Sequence, residues 1–295
     1  MDFMLEQTTH LQTFLAEQSR LRRLAYRMLG DITSADDAVQ DAYLRWHGMA
    51  LSEIVNPQAW LVTTVSRLCL DHLRARQPDR LDYYGEWLPT PVDGDVALGA
   101  DPAYGLERAS DISLALLVLL EQLSAEERVA FIMQEVFDHD YRMIAQVMDR
   151  SEAACRQLVR RARQRLVARQ QRFQADPGQR RAVLAGFVAA LAQGDLKALL
   201  ATLSPEVELR SDGGGVVKAA SKPVFGSRAV SRLLLGIRRV IPPTIRFSPA
   251  WINEEPALVG RCADHVSHVL SFAIDERGIG GIYLINNPAK LVGVR

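Results

Sequence analysis

The stretch Tyr141–Leu166, YRMIAQVMDRSEAACRQLVRRARQRL, constrains the fold of this chain more than any other. Its apolar residues keep helical spacing on both sides of a break at Asp149-Arg150. Ile144, Ala145, Val147 and Met148 give a first helix its buried side. Asp is one of the few residues besides glycine that tolerate a left-handed backbone, so Asp149 suits a tight turn. Ser151 is placed as N-cap of a second helix, its hydroxyl accepting a free backbone N–H of the first turn. That helix buries Cys155, Leu158, Val159 and Ala162 and exposes Arg156, Gln157, Arg160, Arg161 and Arg163. Two helices across a tight turn, the second loaded with arginine, form a helix-turn-helix pattern. In such units a helix enters the major groove, with Arg or Gln reaching base edges and other arginines holding phosphates. The alternative is a basic, solvated helix that touches nothing.

Charge is distributed unevenly along the 295 residues. The whole chain balances 35 Lys and Arg against 35 Asp and Glu. Arg156–Arg181, however, holds nine arginines and a single acid, Asp176, whereas Asp82–Asp111 holds seven acids and one base, Arg108. One block is suited to meeting phosphate and the other to avoiding or imitating it. Cys69, Cys155 and Cys262 are far apart and form no metal-ligand spacing, which fits a reduced protein without a metal or other cofactor. The first residues do not resemble a secretory signal. The longest apolar run, near Ile112–Leu120, falls far short of the ~20 residues a membrane helix needs. A cytoplasmic location with no membrane partner is expected.

The chain divides into four segments. Residues 1–77 read as a first helical domain. Ser34 is placed to cap a helix beginning ADDAVQDAYLRW, with Asp36 and Asp37 near its positive end. Asn56-Pro57 starts another helix, with Leu61, Val65, Leu68 and His72 on one stripe. Residues 78–108 form an acidic, Pro- and Gly-rich linker with little regular structure. Residues 109–174 form a second helical domain, in which Ser124 and Glu127 make a capping box before the helix-turn-helix. Beyond Asp176-Pro177-Gly178, residues 178–295 are mixed. Helices are expected near 179–193, 195–202 and 227–239. Strands are expected near Val207–Arg210, Thr244–Trp251, Leu258–Cys262, His265–Ile274 and Ile279–Leu284, paired antiparallel in a curved α+β sheet.

The segments DDAVQDAYLRW, NPQAWLVTTVSRLCLDHLRAR and LSAEERVAFIMQEVFDHDYRMIAQVMDRSEAACRQLVRRARQRL, in that order, resemble the extracytoplasmic-function sigma factors of bacterial RNA polymerase. The resemblance covers roughly residues 8–172. The remainder is similar to SnoaL-like domains, related to polyketide cyclases and ketosteroid isomerases. The implied fold is multidomain: two all-α sigma domains, regions 2 and 4, plus a C-terminal α+β SnoaL-like cone-shaped domain with a curved sheet. The implied partners are core RNA polymerase and promoter DNA. Asp37, Gln40, Asp41, Leu44, Arg45 and Trp46 resemble the polymerase-binding surface. Trp60, Arg67, Arg74 and Arg76 resemble contacts to the −10 element; Trp46, Leu44 and Trp60 read equally well as core residues. Arg156, Gln157, Arg160, Arg161 and Arg163 resemble contacts to the −35 element.

The combination marks a subgroup in which the appended domain, rather than a separate anti-sigma protein, is implicated in control. Three of its short motifs are present: WLPTP at Trp87–Pro91 (Trp87, Leu88 and Pro89 leading), DGGG at Asp212, Gly213, Gly214 and Gly215, and NPAKL at Asn287, Pro288, Ala289, Lys290 and Leu291. Thr90 stands where the subgroup would have an acid, and Lys218 follows DGGG one residue late. These motifs are expected to meet in a regulatory interdomain contact. Trp87 packs near the SnoaL-like domain, and NPAKL serves docking rather than the core.

A SnoaL-like fold also hosts enzymes and small-ligand pockets, so an enzyme or a small-molecule-sensing regulator is the alternative reading. Asp264, His265, His268 and Asp275 are the candidate acid–base groups, with His268 on the apolar face of its strand beside Phe272. No acid–base pair stands out among them, and a fold alone confers no activity. A non-enzymatic regulator is expected, with an unidentified small ligand in the C-terminal domain as a further partner the fold would admit.

Overall fold

The computed structural model describes residues 2–49, 54–76, 83, 85–93, 113–170 and 177–294. Contacts divide the chain into two compact units. One comprises Met1–Asp79, Leu98–Asp111 and Leu119–Leu166; the other comprises Arg80–Ala97, Ile112–Val118 and Val167–Arg295.

The first unit is helical. Its elements are α1 (Asp2–Leu29), α2 (Ile32–His47), α3 (Pro57–Ala75), the end of α4 (Leu114–Leu120), α5 (Ala125–Phe131), α6 (Tyr141–Met148) and α7 (Glu152–Gln170). A π-helical turn, Ile132–Val136, continues α5. Local capping sets most boundaries. Asn56 Oδ1 accepts from Ala59 N at 3.0 Å, with Pro57 in the first turn of α3. Ser124 and Glu127 form the reciprocal capping box of α5. The start of α2 differs from the sequence expectation. Asp31, not Ser34, is the N-cap, its carboxylate accepting from Ser34 N at 2.9 Å and from Ser34 Oγ at 2.6 Å. Asp36 and Asp37 therefore lie beyond the first turn, too far in to meet the dipole. In α3 the buried stripe runs through Leu61, Val65, Cys69 and Leu73, whereas Leu68 and His72 are half-buried at its margin.

The second unit combines α8 (Pro177–Gln193), α9 (Leu196–Thr202), α10 (Ser227–Val240) and α11 (Pro288–Leu291) with one sheet. The strands are β1 (Leu203–Asp212), β2 (Val224–Phe225), β3 (Ile245–Ile252), β4 (Glu255–Cys262), β5 (His265–Asp275) and β6 (Gly278–Ile285), in the order β2-β1-β6-β5-β4-β3. Pairing is antiparallel except between β1 and β6. This departs from the all-antiparallel expectation: the chain leaves β1, crosses over through α10, and meanders back through β3, β4 and β5, so β6 reaches β1 in the same direction. Register shifts at Gly260/Arg261 and Ala273/Ile274 bend the sheet.

Both faces of the sheet are covered, so β6, GIGGIYLI, is buried at every position. On one face Phe187, Leu199, Val230 and Leu234 of the helices pack against Leu258, Leu270, Phe272 and Ile282. On the other, Val259, Val269, Tyr283 and Ile285 are covered by Leu88, Leu114, Ala115, Val118, Leu291 and Val294. That second layer is why Leu88 and the start of α4 group with the sheet rather than with the helices around them in sequence.

Candidate nucleic-acid interface and linker clasp

The helix-turn-helix forms on local signals. Asp140 caps α6, accepting from Met143 N at 2.8 Å. Asp149 ends α6 in the left-handed region, at φ 51 and ψ 50. Ser151 Oγ then accepts from Ala154 N at 3.2 Å to open α7. Cys155, Leu158, Val159 and Ala162 are buried. Arg156, Gln157, Arg160, Arg161 and Arg163 are all exposed.

Several of these arginines are held by carboxylates that the sequence reading did not single out. Arg156 Nη2 donates to Glu152 at 2.8 Å, with its guanidinium 4.8 Å from the centre of the Tyr141 ring. Arg163 donates to Gln134 at 3.1 Å and from Nε to Glu135 at 3.1 Å, and the Glu135 bond raises its pKa. Glu127 is buried; it accepts from Arg165 at 2.6 Å and lies 3.5 Å from Arg161. The capping-box pattern marked Glu127 for the helix end, but no local signal tied it to α7.

On α2, Asp37, Gln40, Asp41, Leu44 and Arg45 are exposed, Leu44 by 62%. Trp46 corrects the expectation of a polymerase-facing residue. It is fully buried, and its Nε1 donates to His10 O at 3.0 Å. Its ring centre lies 5.6 Å from that of the half-buried Trp60. A side chain that anchors the α1–α2–α3 core cannot also present itself to a partner. On α3, Arg67 Nη2 donates to Gln146 O at 2.6 Å, and Arg74 donates to Glu126 Oε1 from Nε at 3.1 Å and Nη2 at 2.8 Å. Arg76 is half-buried at the C-cap. The −10 candidate Arg67 thus already contacts the helix-turn-helix segment, and Arg74 contacts the α5 helix that precedes it.

A second cluster gathers the three short motifs around one carboxylate. Asp212, at the end of β1, is fully buried. Its Oδ1 accepts from Tyr83 Oη at 2.6 Å and from Gly214 N at 3.0 Å. Its Oδ2 accepts from Leu88 N at 2.9 Å and Lys290 Nζ at 2.6 Å. Lys290 also donates to Leu88 O, and its ammonium sits 4.0 Å from the Trp87 ring centre and 5.5 Å from that of Tyr83. Asn287 Nδ2 donates to Tyr83 Oη at 3.0 Å while its Oδ1 caps α11. Gly214 has φ +64, and a β-carbon there would lie 2.5 Å from Asn287 Cγ, so only glycine fits. Two further ties hold the linker. Glu86 pairs with Arg210 at 2.7 Å, and Val92 N donates to the Asn253 side-chain Oδ1 at 3.2 Å while its carbonyl accepts from Asn253 N at 2.8 Å.

WLPTP, DGGG and NPAKL therefore meet, with Trp87, Leu88, Pro89, Asp212, Gly213, Gly214, Asn287, Lys290 and Leu291 at least half-buried and Gly215 and Pro288 exposed. The expectation that NPAKL stays out of the core is corrected: Leu291 packs on the sheet and Lys290 is 8% exposed. Tyr83, Glu86, Arg210 and Asn253 carried no sequence signal, since each acts across 100 residues or more.

The candidate acid–base groups do not converge. Asp264 and His265 are exposed, and Asp275 Oδ1 accepts from Arg277 N within a turn. His268, its pKa lowered by burial, has Nδ1 2.9 Å from Ser267 Oγ and its ring near Phe247. A different carboxyl, Glu255, is pushed up to about 7 by burial against the opposing pull of Arg180, 3.3 Å away. With Arg180, Pro256, Phe272 and Ile274 it lines a cavity of about 10 Å³, room for about one water. No cluster of metal-ligating side chains occurs among the described residues. No helix among them is long and apolar enough to cross a membrane.

Comparison with known proteins accounts for the two helical segments on either side of the linker. A sigma-70 region 2 family model matches residues 13–78, and a sigma-70 region 4 model matches residues 113–166. The chain is 38% identical over 291 residues to the ECF RNA polymerase sigma factor SigJ of Mycobacterium tuberculosis, covering 95% of this chain and 92% of that protein. It is 32% identical over 284 residues to a probable ECF RNA polymerase sigma factor, SigI, of the same species, covering 95% and 94%. The crystal structure of the M. tuberculosis extracytoplasmic function sigma factor SigJ matches with a TM-score of 0.76 at 31% identity, over 96% of this chain and 98% of that one. The first unit thus carries region 2 and most of region 4, the second an α+β domain, and the chain belongs to the extracytoplasmic-function (ECF) RNA polymerase sigma factors.

Proposed function

We propose that this sigma factor binds core RNA polymerase through the exposed face of α2 (Asp37, Gln40, Asp41, Leu44 and Arg45). It then opens and reads the −10 element with α3, through Trp60, Arg67, Arg74 and Arg76, and reads the −35 element with α7. The observation that carries this reading is the ordered pair of region 2 and region 4 matches, the second ending on an arginine-rich helix that opens at a formed helix-turn-helix. It acts in the cytoplasm, where polymerase and promoters are.

The C-terminal domain regulates this activity through the clasp on residues 83–93. The acidic connector must travel through the polymerase's nucleic-acid channel, and its N-terminal end is gripped by Asp212 and Lys290. Releasing the grip strips a buried ion pair and exposes Leu88, so clasp strength sets how readily the connector is free. The domain is regulatory rather than catalytic. The separation of Asp264, His265, His268 and Asp275, and the one-water cavity beside Glu255, support that reading. The test is run-off transcription with core polymerase and the full chain, a form ending at residue 286, a form ending at 176, and Trp87→Ala. Clasp-directed regulation requires the removal of residues 287–295 and the removal of the whole domain to change product yield differently. Yields unchanged by all three alterations contradict it.

A further inference from the structure

The arginines of α7 are not equivalent. At about 100° per residue, buried Cys155, Leu158, Val159, Ala162 and Leu166 define one side of the helix. Gln157, Arg160 and Gln164 lie opposite, within about 60° of one another, and form the crest that projects farthest from the domain. The side chains of these three make no hydrogen bond or ion pair with a described residue. The flanks differ. On one side Arg156 is fixed between Glu152 and the Tyr141 ring, and Arg163 by Gln134 and Glu135, which the π-helical turn presents to it. On the other side Arg161 and Arg165 converge on Glu127. Each flank guanidinium already meets a carboxylate.

Resting on the reading of α7 as the −35 reader, we infer that promoter specificity is set by the crest, Gln157, Arg160 and Gln164. The flank arginines Arg156, Arg161, Arg163 and Arg165 face DNA phosphates instead, with Glu127, Glu135 and Glu152 as their positioning residues. Base reading needs an unengaged side chain that can present two donors, or a donor and an acceptor, to one base edge; Arg and Gln on the crest meet that need. Backbone contact needs charge at a fixed place on either side of the groove, which carboxylate-held guanidiniums supply.

The test uses the full chain with core polymerase on a promoter library randomised across the −35 element, read as transcript yield per sequence. Salt dependence of holoenzyme binding is measured on one promoter. Gln157→Ala, Arg160→Ala and Gln164→Ala should each flatten base preference by roughly tenfold or more at one −35 position. Arg156→Ala and Arg163→Ala should lower yield evenly across the library and reduce the salt slope by about one ion each. Glu135→Gln should leave base preference intact and lower yield evenly, in the direction of Arg163→Ala, because Arg163 loses the carboxylate that holds it. All six positions are on the helix surface or half-buried at its edge, and thermal melting checks that each variant folds. Preference altered by Arg156→Ala or Arg163→Ala, with the crest variants neutral, overturns the inference while leaving the sigma-factor reading intact. Wild-type protein that directs no promoter-selective transcription overturns the reading itself.

Discussion

Lys290 and Asp212, 78 residues apart in sequence, form an ion pair of 2.6 Å whose side chains are 9% and 0% exposed. A buried pair of this kind is costly to break from one side, because the remaining charge is left without water or partner. Lys290→Met should therefore destabilise the C-terminal unit by about 3–5 kcal/mol, and Asp212→Asn with Lys290→Met together by clearly less than the sum. Denaturant unfolding with a double-mutant cycle measures this. Additive losses would mean that the two residues do not act as a pair.

The clasp also predicts where the chain becomes vulnerable. Leu88 is buried, and both its backbone N–H and C=O are bonded to the Asp212–Lys290 pair. In Lys290→Met, limited proteolysis should cut within residues 83–93 at least several-fold faster than in the wild type, because local opening is easier there. Equal cleavage rates would show that the linker is held by something else.

Trp46 and Leu44 should separate stability from partner binding. Trp46→Ala removes a fully buried indole and should cost about 3–5 kcal/mol of unfolding free energy. Leu44→Ala should stay within about 0.5 kcal/mol of wild type yet weaken association with core polymerase. Melting curves alongside polymerase co-elution read both. A folded Trp46→Ala protein of wild-type stability would contradict the core assignment.

Glu255 gives the C-terminal unit a pH dependence of defined sign. Its folded pKa, about 7, lies above its ordinary value of 4.5. Below pH 4.5 it is protonated folded or unfolded and contributes no slope. Between 4.5 and 7 the folded state keeps a proton that the unfolded state has released, so stability falls as pH rises, by up to ~1.4 kcal/mol per unit. His268, its pKa lowered by burial, adds a slope of opposite sign, so the comparison is between proteins: in thermal melts at pH 5.5 and pH 8, Glu255→Gln should shift the stability difference between the two pH values in favour of pH 8 relative to wild type. An unchanged difference in Glu255→Gln would assign it elsewhere.

Features set by neighbours in sequence were legible before the structure. The Asn56-Pro57 start, the Ser124–Glu127 capping box, the left-handed Asp149 and the Ser151 cap each act over three residues or fewer. Periodicity likewise separated Leu158 and Val159 from Arg160 and Arg161. The sequence reading placed the cap of α2 at Ser34, but Asp31 takes that place because its carboxylate reaches Ser34 N. Long-range placement left no trace. An indole at position 46 fits a helix surface or a core equally well by spacing. The parallel β1–β6 pairing depends on the path of five later elements. Tyr83 and Arg210 became parts of the clasp only through partners 129 and 124 residues away.

The most direct test of the account is run-off transcription with core polymerase on a template carrying a promoter selected by the full chain, comparing wild type with the paired variant Asp212→Asn, Lys290→Met. The account predicts one promoter-selective transcript from both proteins, starting at the same base, with a yield that the paired variant changes several-fold. No selective transcript from either protein would contradict the sigma-factor reading, and equal yields from the two would contradict control through the clasp.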